Sequence, residues 1–177
     1  MELPFKGVKP TIDPTVYVAP GAVIVGDVVI GPESSIWFGT VVRADVHYIR
    51  IGAQTNIQDQ CVLHVTRGTH PLHLGDRITV GHRAIVHGCT VSDGCLIGMG
   101  AVLLDGCYIG TEAIVAAGSV VAEKTRITSR TLAMGAPATS RRDVTENELA
   151  RARSTASNYI QLAAVYRGEL RTDEHCS

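Results

Sequence analysis

An aliphatic residue returns at nearly constant six-residue intervals from Val18 to Ile127. The first units begin at Val18, Ile24, Ile30, Ile36 and Val42. After Tyr48–Arg50 the pattern resumes at Ile51, Ile57 and Leu63. A second insertion, Thr69–His73, precedes Leu74, Val80 and a five-residue unit at Val86. Unbroken sixes then start at Val91, Ile97, Leu103, Ile109, Val115, Val121 and Ile127. Position five of each unit is usually small: Ala, Val, Ser, Thr or Cys. This pattern predicts short strands with one inward aliphatic, joined by tight corners with a small inward residue. Coils of that kind stack in parallel ~4.8 Å apart, and each buries its interior only against its neighbours.

The repeat ends near Ala133, and MGAPATSRRD reads as a turn-rich exit. In the segment that follows, Thr145 and Glu148 form a capping-box signature. Leu149, Ala152, Ala156, Tyr159, Ile160 and Ala163 make one apolar stripe. The spacing predicts a helix of about five to six turns lying on the coils, with Gly168 as its stop. We therefore expect one domain, with coils over 1–140 and a packed helix over 143–170.

Eighteen glycines and 5% aromatic residues suit such coils. The net charge of −1 gives no general attraction to nucleic acid or to an acidic membrane. The N-terminal MELPFKGVKP lacks the apolar run of a signal peptide, and no apolar stretch of about 18 residues is present to span a bilayer. A cytoplasmic protein is the expectation. Cys61, Cys95 and Cys107 fall at position five, and no C-x-x-C pair occurs, so all five cysteines read as structural thiols.

The six-residue period resembles the hexapeptide repeat of left-handed parallel β-helix proteins, whose coils contain three units. The resemblance supplies the left hand; general chirality rules for parallel connections favour the right. The expected fold is thus all-β, a left-handed parallel β-helix followed by a C-terminal α-helix. Counting from Val42, the first, fourth and seventh units share a face, so Arg43, His64 and His87 form a ladder. His82, third in the sixth unit, falls on another face, over Asp59. A second copy packed head to tail brings His82 to the other two, and such a contact closes into a threefold ring. The register predicts a three-histidine metal site between subunits of a homotrimer.

At these residues the chain resembles the gamma class of carbonic anhydrases and their bacterial relatives. The match comprises Arg43 and Asp45 in R-x-D, Thr55–Asp59 (TNIQD), His64, and Val80–His87 (VGHRAIVH) followed by Gly88 and Cys89. It continues through IGMGAVLLDG, LAMGAPA and SNY. The resemblance implies a trimer with zinc (Fe2+ or Co2+ as alternatives) at each interface. His64 and His87 come from one subunit and His82 from the next. Three neutral imidazoles leave one position for water and lower its pKa to ~7, so that hydroxide attacks carbon dioxide and gives bicarbonate. Gln58 matches the family residue that orients hydroxide or product, with Asp59 as a nearby acceptor. Arg43 and Asp45 match a pair that bridges subunits beside the site, with bicarbonate binding a secondary use. Tyr159 matches a tyrosine on the family's helix that approaches the pocket.

The sequence departs from the pattern in one respect. The best-studied type carries glutamates after the first metal histidine, one serving as proton shuttle; here that loop reads VTRGTHP, and Val46 replaces another glutamate. His70 or His73 is expected to take the proton instead, because an exposed imidazole titrates near neutrality. Two other classes compete: acyl transfer or thioester hydrolysis on coenzyme A substrates, and a non-catalytic trimeric scaffold.

Overall fold

A computed structural model describes residues 1–168. The repeat folds as expected, into parallel coils closed by three faces. Face one stacks Ile24, Val42, Leu63, Val86, Leu103 and Val121 in register. Face two stacks Ile12, Ile30, Ile51, Leu74, Val91, Ile109 and Ile127. Face three stacks Val18, Ile36, Ile57, Val80, Ile97, Val115 and Ala133. Apart from half-buried Ile12 and Val18, these stacked side chains are buried and form the core. Position five fills the corners: Ala22, Thr40, Thr55, Cys61, Ile78, Ala84 and Ala113 are fully covered. Burial pushes the thiols of Cys61 and Cys95 up to about 12, which makes them core groups rather than nucleophiles.

Four stretches differ from the expectation. The first coil begins at Glu2–Leu3 and Thr11–Ile12, which pair with Val23–Ile30 although they lack the repeat. Tyr48–Arg50 is no interruption: Val41–Ile51 is one strand, and Ile49 turns inward between Val28 and Leu72. The second insertion is shorter than Thr69–His73. Thr66 and His70 close a small loop, and the chain is back in register at Leu72, which is fully buried. Finally, the exit is a hairpin: Ala138–Asp143 pairs antiparallel with Thr131–Gly135 and covers the last rung of face three. An antiparallel, charged strand there blunts an edge that would otherwise accept another chain.

The helix spans Glu146–Arg167 and ends at Gly168, whose φ of 80° supplies the left-handed stop. The part of the expected 143–170 segment after residue 168, with His175 and Cys176, lies outside the described residues. Thr145 and Glu148 form the full capping box. Replacing Thr145 with Ala should lower unfolding free energy by about 1 kcal/mol, read as a urea midpoint shift at unchanged slope. Leu149, Ala152, Ala156 and Ala163 are buried, while Tyr159 and Ile160 are half-buried. The helix lies over face three, where Trp37 meets Tyr159 and Tyr166 edge-on at 5.2 and 5.3 Å.

Candidate functional site

Alternation along the strands Val62–His64 and Ile85–His87 puts Leu63 and Val86 in the core and both histidines outside. His64 and His87 pair directly across neighbouring coils. Their rings stand 5.0 Å apart, and His64 Nδ1 lies 3.0 Å from His87 Nε2. The opposite nitrogens face carboxylates: His64 Nε2 is 3.1 Å from Asp45 Oδ1, and His87 Nδ1 is 2.6 Å from Asp105 Oδ1. Arg43 donates to the other oxygen of Asp45. Thr66 donates to the other oxygen of Asp105 at 2.5 Å.

Burial raises the pKa of both carboxylates, but these hydrogen bonds outweigh it and hold Asp45 and Asp105 below the usual range. Burial holds the His64 imidazole below its ordinary value, against the opposing pull of Asp45. Neutral imidazoles that donate to carboxylates must carry their lone pairs on the nitrogens that face each other. At 3.0 Å the two nitrogens either share a proton, one ring donating to the other, or hold a cation between them. Tetrahedral zinc with Zn–N of 2.0–2.1 Å sets its nitrogens about 3.3 Å apart, so the pair would admit a metal of that size on opening by about 0.3 Å.

On face three, His82 Nδ1 is 2.7 Å from Asp59 Oδ2, which leaves Nε2 outward. The backbone N–H of His82 donates to Gln58 Oε1 at 3.2 Å, and Gln58 Nε2 donates to Asn56 Oδ1 at 3.2 Å. Gln58, His82, Met99 and Tyr159 line one depression of 380 Å3, walled mainly by apolar groups. Burial, then the Asp59 charge, raises the Tyr159 hydroxyl, which keeps it protonated. Each of the three histidines therefore has its own carboxylate, the arrangement that fixes a ligand's tautomer and raises its basicity.

The structure thus gathers Arg43, Asp45, His64 and His87 on one face and Gln58, Asp59, His82 and Tyr159 on another. Among the described residues of one chain, no three His, Cys, Asp or Glu groups are placed to hold a metal ion. The shuttle candidates part company. His70 Nδ1 lies 3.9 Å from Asp105 Oδ2, whereas His73 Nε2 lies 3.2 Å from the Tyr48 hydroxyl. Burial, with Arg50 and His47, holds His73 below its ordinary value.

Asp105 escaped the reading of the sequence, although a signal existed. It is the third residue of the unit stacked on Val86, and so lies over Gly88. That glycine has a φ of 52°, and a Cβ there would lie 2.3 Å from Asp105 Oδ1. Gly88 lets the five-residue unit turn early and leaves room for the carboxylate beside His87.

Stacked parallel coils of six-residue units with one C-terminal helix define a left-handed β-helix protein of the hexapeptide-repeat class. The bacterial transferase hexapeptide (six repeats) family matches residues 88–123. The mitochondrial gamma carbonic anhydrase 2 of Arabidopsis thaliana is 46% identical over 91% of this chain and 60% of its own length. The carbonic anhydrase of Geobacillus kaustophilus is 39% identical over 94% of this chain and 91% of its own. A Bacillus cereus crystal structure, provisionally labelled an acetyltransferase, is 41% identical with a TM-score of 0.93, covering 96% and 98% of the two chains. The chain belongs to the gamma carbonic anhydrase family of hexapeptide-repeat proteins. It spans only 60% of the length of the Arabidopsis relative.

Proposed function

We propose that this protein catalyses the reversible hydration of carbon dioxide to bicarbonate and a proton, at a metal site shared between neighbours in a homotrimer. The observation that carries this reading is the division of the site. Two imidazoles with facing nitrogens stand on face one, and the third, also held by a carboxylate, stands on face three. A head-to-tail neighbour unites the halves. Val62 and Ile85 beside the first half and Met99 beside the second are 41%, 40% and 58% exposed, apolar surface that such a contact would cover.

His64, His87 and the neighbour's copy of His82 would hold the ion, with zinc favoured and Fe2+ or Co2+ also compatible with imidazole. A divalent ion so held supplies a Lewis acid that brings the pKa of water to ~7. Asp45, Asp59 and Asp105 keep the three rings aimed. Gln58 is fixed by His82 and Asn56 and retains one amide N–H to orient an oxygen of the substrate or product. Tyr159 and the apolar wall beside it suit carbon dioxide. Arg43, paired to Asp45, offers positive charge to bicarbonate.

His70 is the better placed of the two shuttle candidates. His70→Ala should lower turnover several-fold in dilute buffer and recover with added imidazole. His73→Ala should leave it unchanged. Equal rates for both variants and the parent would remove His70 from the mechanism.

Protein purified without oxygen should contain about one metal per chain and lose hydration activity on chelation. Turnover of acyl-CoA without hydration would favour acyl transfer, the activity suggested by the Bacillus cereus relative's label. Metal without either activity would favour the scaffold.

A further inference from the structure

Where faces two and three meet, the coils turn through one left-handed residue each. Glu33, Gln54, Arg77, Gly94, Glu112 and Arg130 hold φ between 52° and 68° there. Their amides stack: Arg77 N–H on Ala53 O, Gly94 N–H on Asp76 O and Glu112 N–H on Asp93 O, each at 2.9 Å. Rungs ~4.8 Å apart make this corner a continuous edge of polar side chains. Gly94 alone carries no side chain there, and a Cβ at that position would lie 3.3 Å from Glu112 Cγ. The C-terminal helix crosses beside it and borders a partly open cavity of 250 Å3. At 250 Å3 it lies just below the size of ordinary ligand pockets, which limits an occupant to a small molecule.

The polar groups around the cavity are unequal. Arg153 donates to Glu112 Oε1 at 2.5 Å, and Arg130 lies 3.8 Å from Oε2, so that carboxylate is neutralised. Asp93 Oδ1 accepts the Asp76 N–H at 3.0 Å. Gln54 gives its amide to Glu33 at 2.7 Å. The Arg77 side chain, by contrast, is exposed at the cavity, and its guanidinium has no hydrogen bond or ion pair among the described residues. Ala156 and Ile160 of the helix supply apolar lining to the same cavity.

We propose that this cavity binds a small carboxylate with a short apolar tail. The planar guanidinium of Arg77 takes the carboxylate in a two-point contact, and the tail lies on Ala156 and Ile160. A phosphate monoester is disfavoured, because its second negative charge would face the Asp93 carboxylate, which no cation pairs among the described residues, across the same small space. The site is separate from the three imidazoles and does not depend on the activity assigned to them.

Titration calorimetry of the metal-loaded protein with hexanoate and its neutral analogue hexanamide tests this. Hexanoate should bind saturably, once per chain, and hexanamide about tenfold more weakly. Arg77→Gln should weaken hexanoate about tenfold as well, and Ser157→Phe, which fills the cavity from the helix, should abolish binding. Metal content and hydration rate should stay unchanged in both variants. Absence of saturable binding, equal affinity for the two compounds, or hexanoate binding that survives both substitutions would overturn the proposal.

Discussion

Co-expressing His82→Ala with His87→Ala chains should restore about a quarter of the metal sites that each variant loses alone. Each variant by itself leaves two imidazoles at every site, so metal occupancy under chelator competition should fall close to zero. In a mixed ring the His87→Ala chain still offers His82, and the His82→Ala chain still offers His64 and His87. When two equally abundant chains assemble at random, one interface in four joins the intact halves. Hydration activity should follow the recovered metal. If the three imidazoles instead met within one chain, mixing would recover nothing, because neither chain carries a complete set. Metal retained by both pure variants would dismiss the three-histidine site altogether.

Asp105→Leu should weaken metal binding about 10–100-fold without unfolding the coils. The carboxylate receives the His87 Nδ1 proton at 2.6 Å and is itself fixed by the Thr66 hydroxyl. Without it, the ring is free to rotate or to move its proton to Nε2, the nitrogen that faces His64. Asp105→Asn should lie between the parent and the Leu variant, because an amide oxygen still accepts the hydrogen bond but carries no charge. Thr66→Val should have a smaller effect in the same direction. Chelator competition reads the affinity, and 15N chemical shifts of His87 read the tautomer in metal-free protein. A Leu variant with parental metal affinity and parental His87 shifts would show that Asp105 merely fills space.

The core was legible because each coil imposes the same demand: one aliphatic inward at every sixth position, or the stack loses a layer. Those positions are buried from Ile24 through Ile127. The same count placed His64 over, and next to, His87 and set His82 over Asp59. It failed where the inward residue was not in the six-residue frame. Ile49 and Leu72 were assigned to insertions, yet both are fully buried, because a strand can lengthen and round a corner without breaking its pairing. The first coil went unseen for a related reason. Its strands at Glu2–Leu3 and Thr11–Ile12 cover an end of the stack, where only one neighbour constrains them.

Sequence alone determined the winding, the capping box of the helix, and the face on which each imidazole stands. The period sets the coils and the faces, the Thr145–Glu148 spacing sets the cap, and only the left hand of the winding came from resemblance; none needs knowledge of distant contacts. Tertiary structure alone decided which oxygen each ring nitrogen meets, and so which ring nitrogens are left facing one another. It also decided that the helix lies over face three beside His82, with a cavity at Gly94. Those outcomes depend on side chains from different coils converging within hydrogen-bond reach, and periodicity fixes a residue's face without fixing the direction of its last torsion angle.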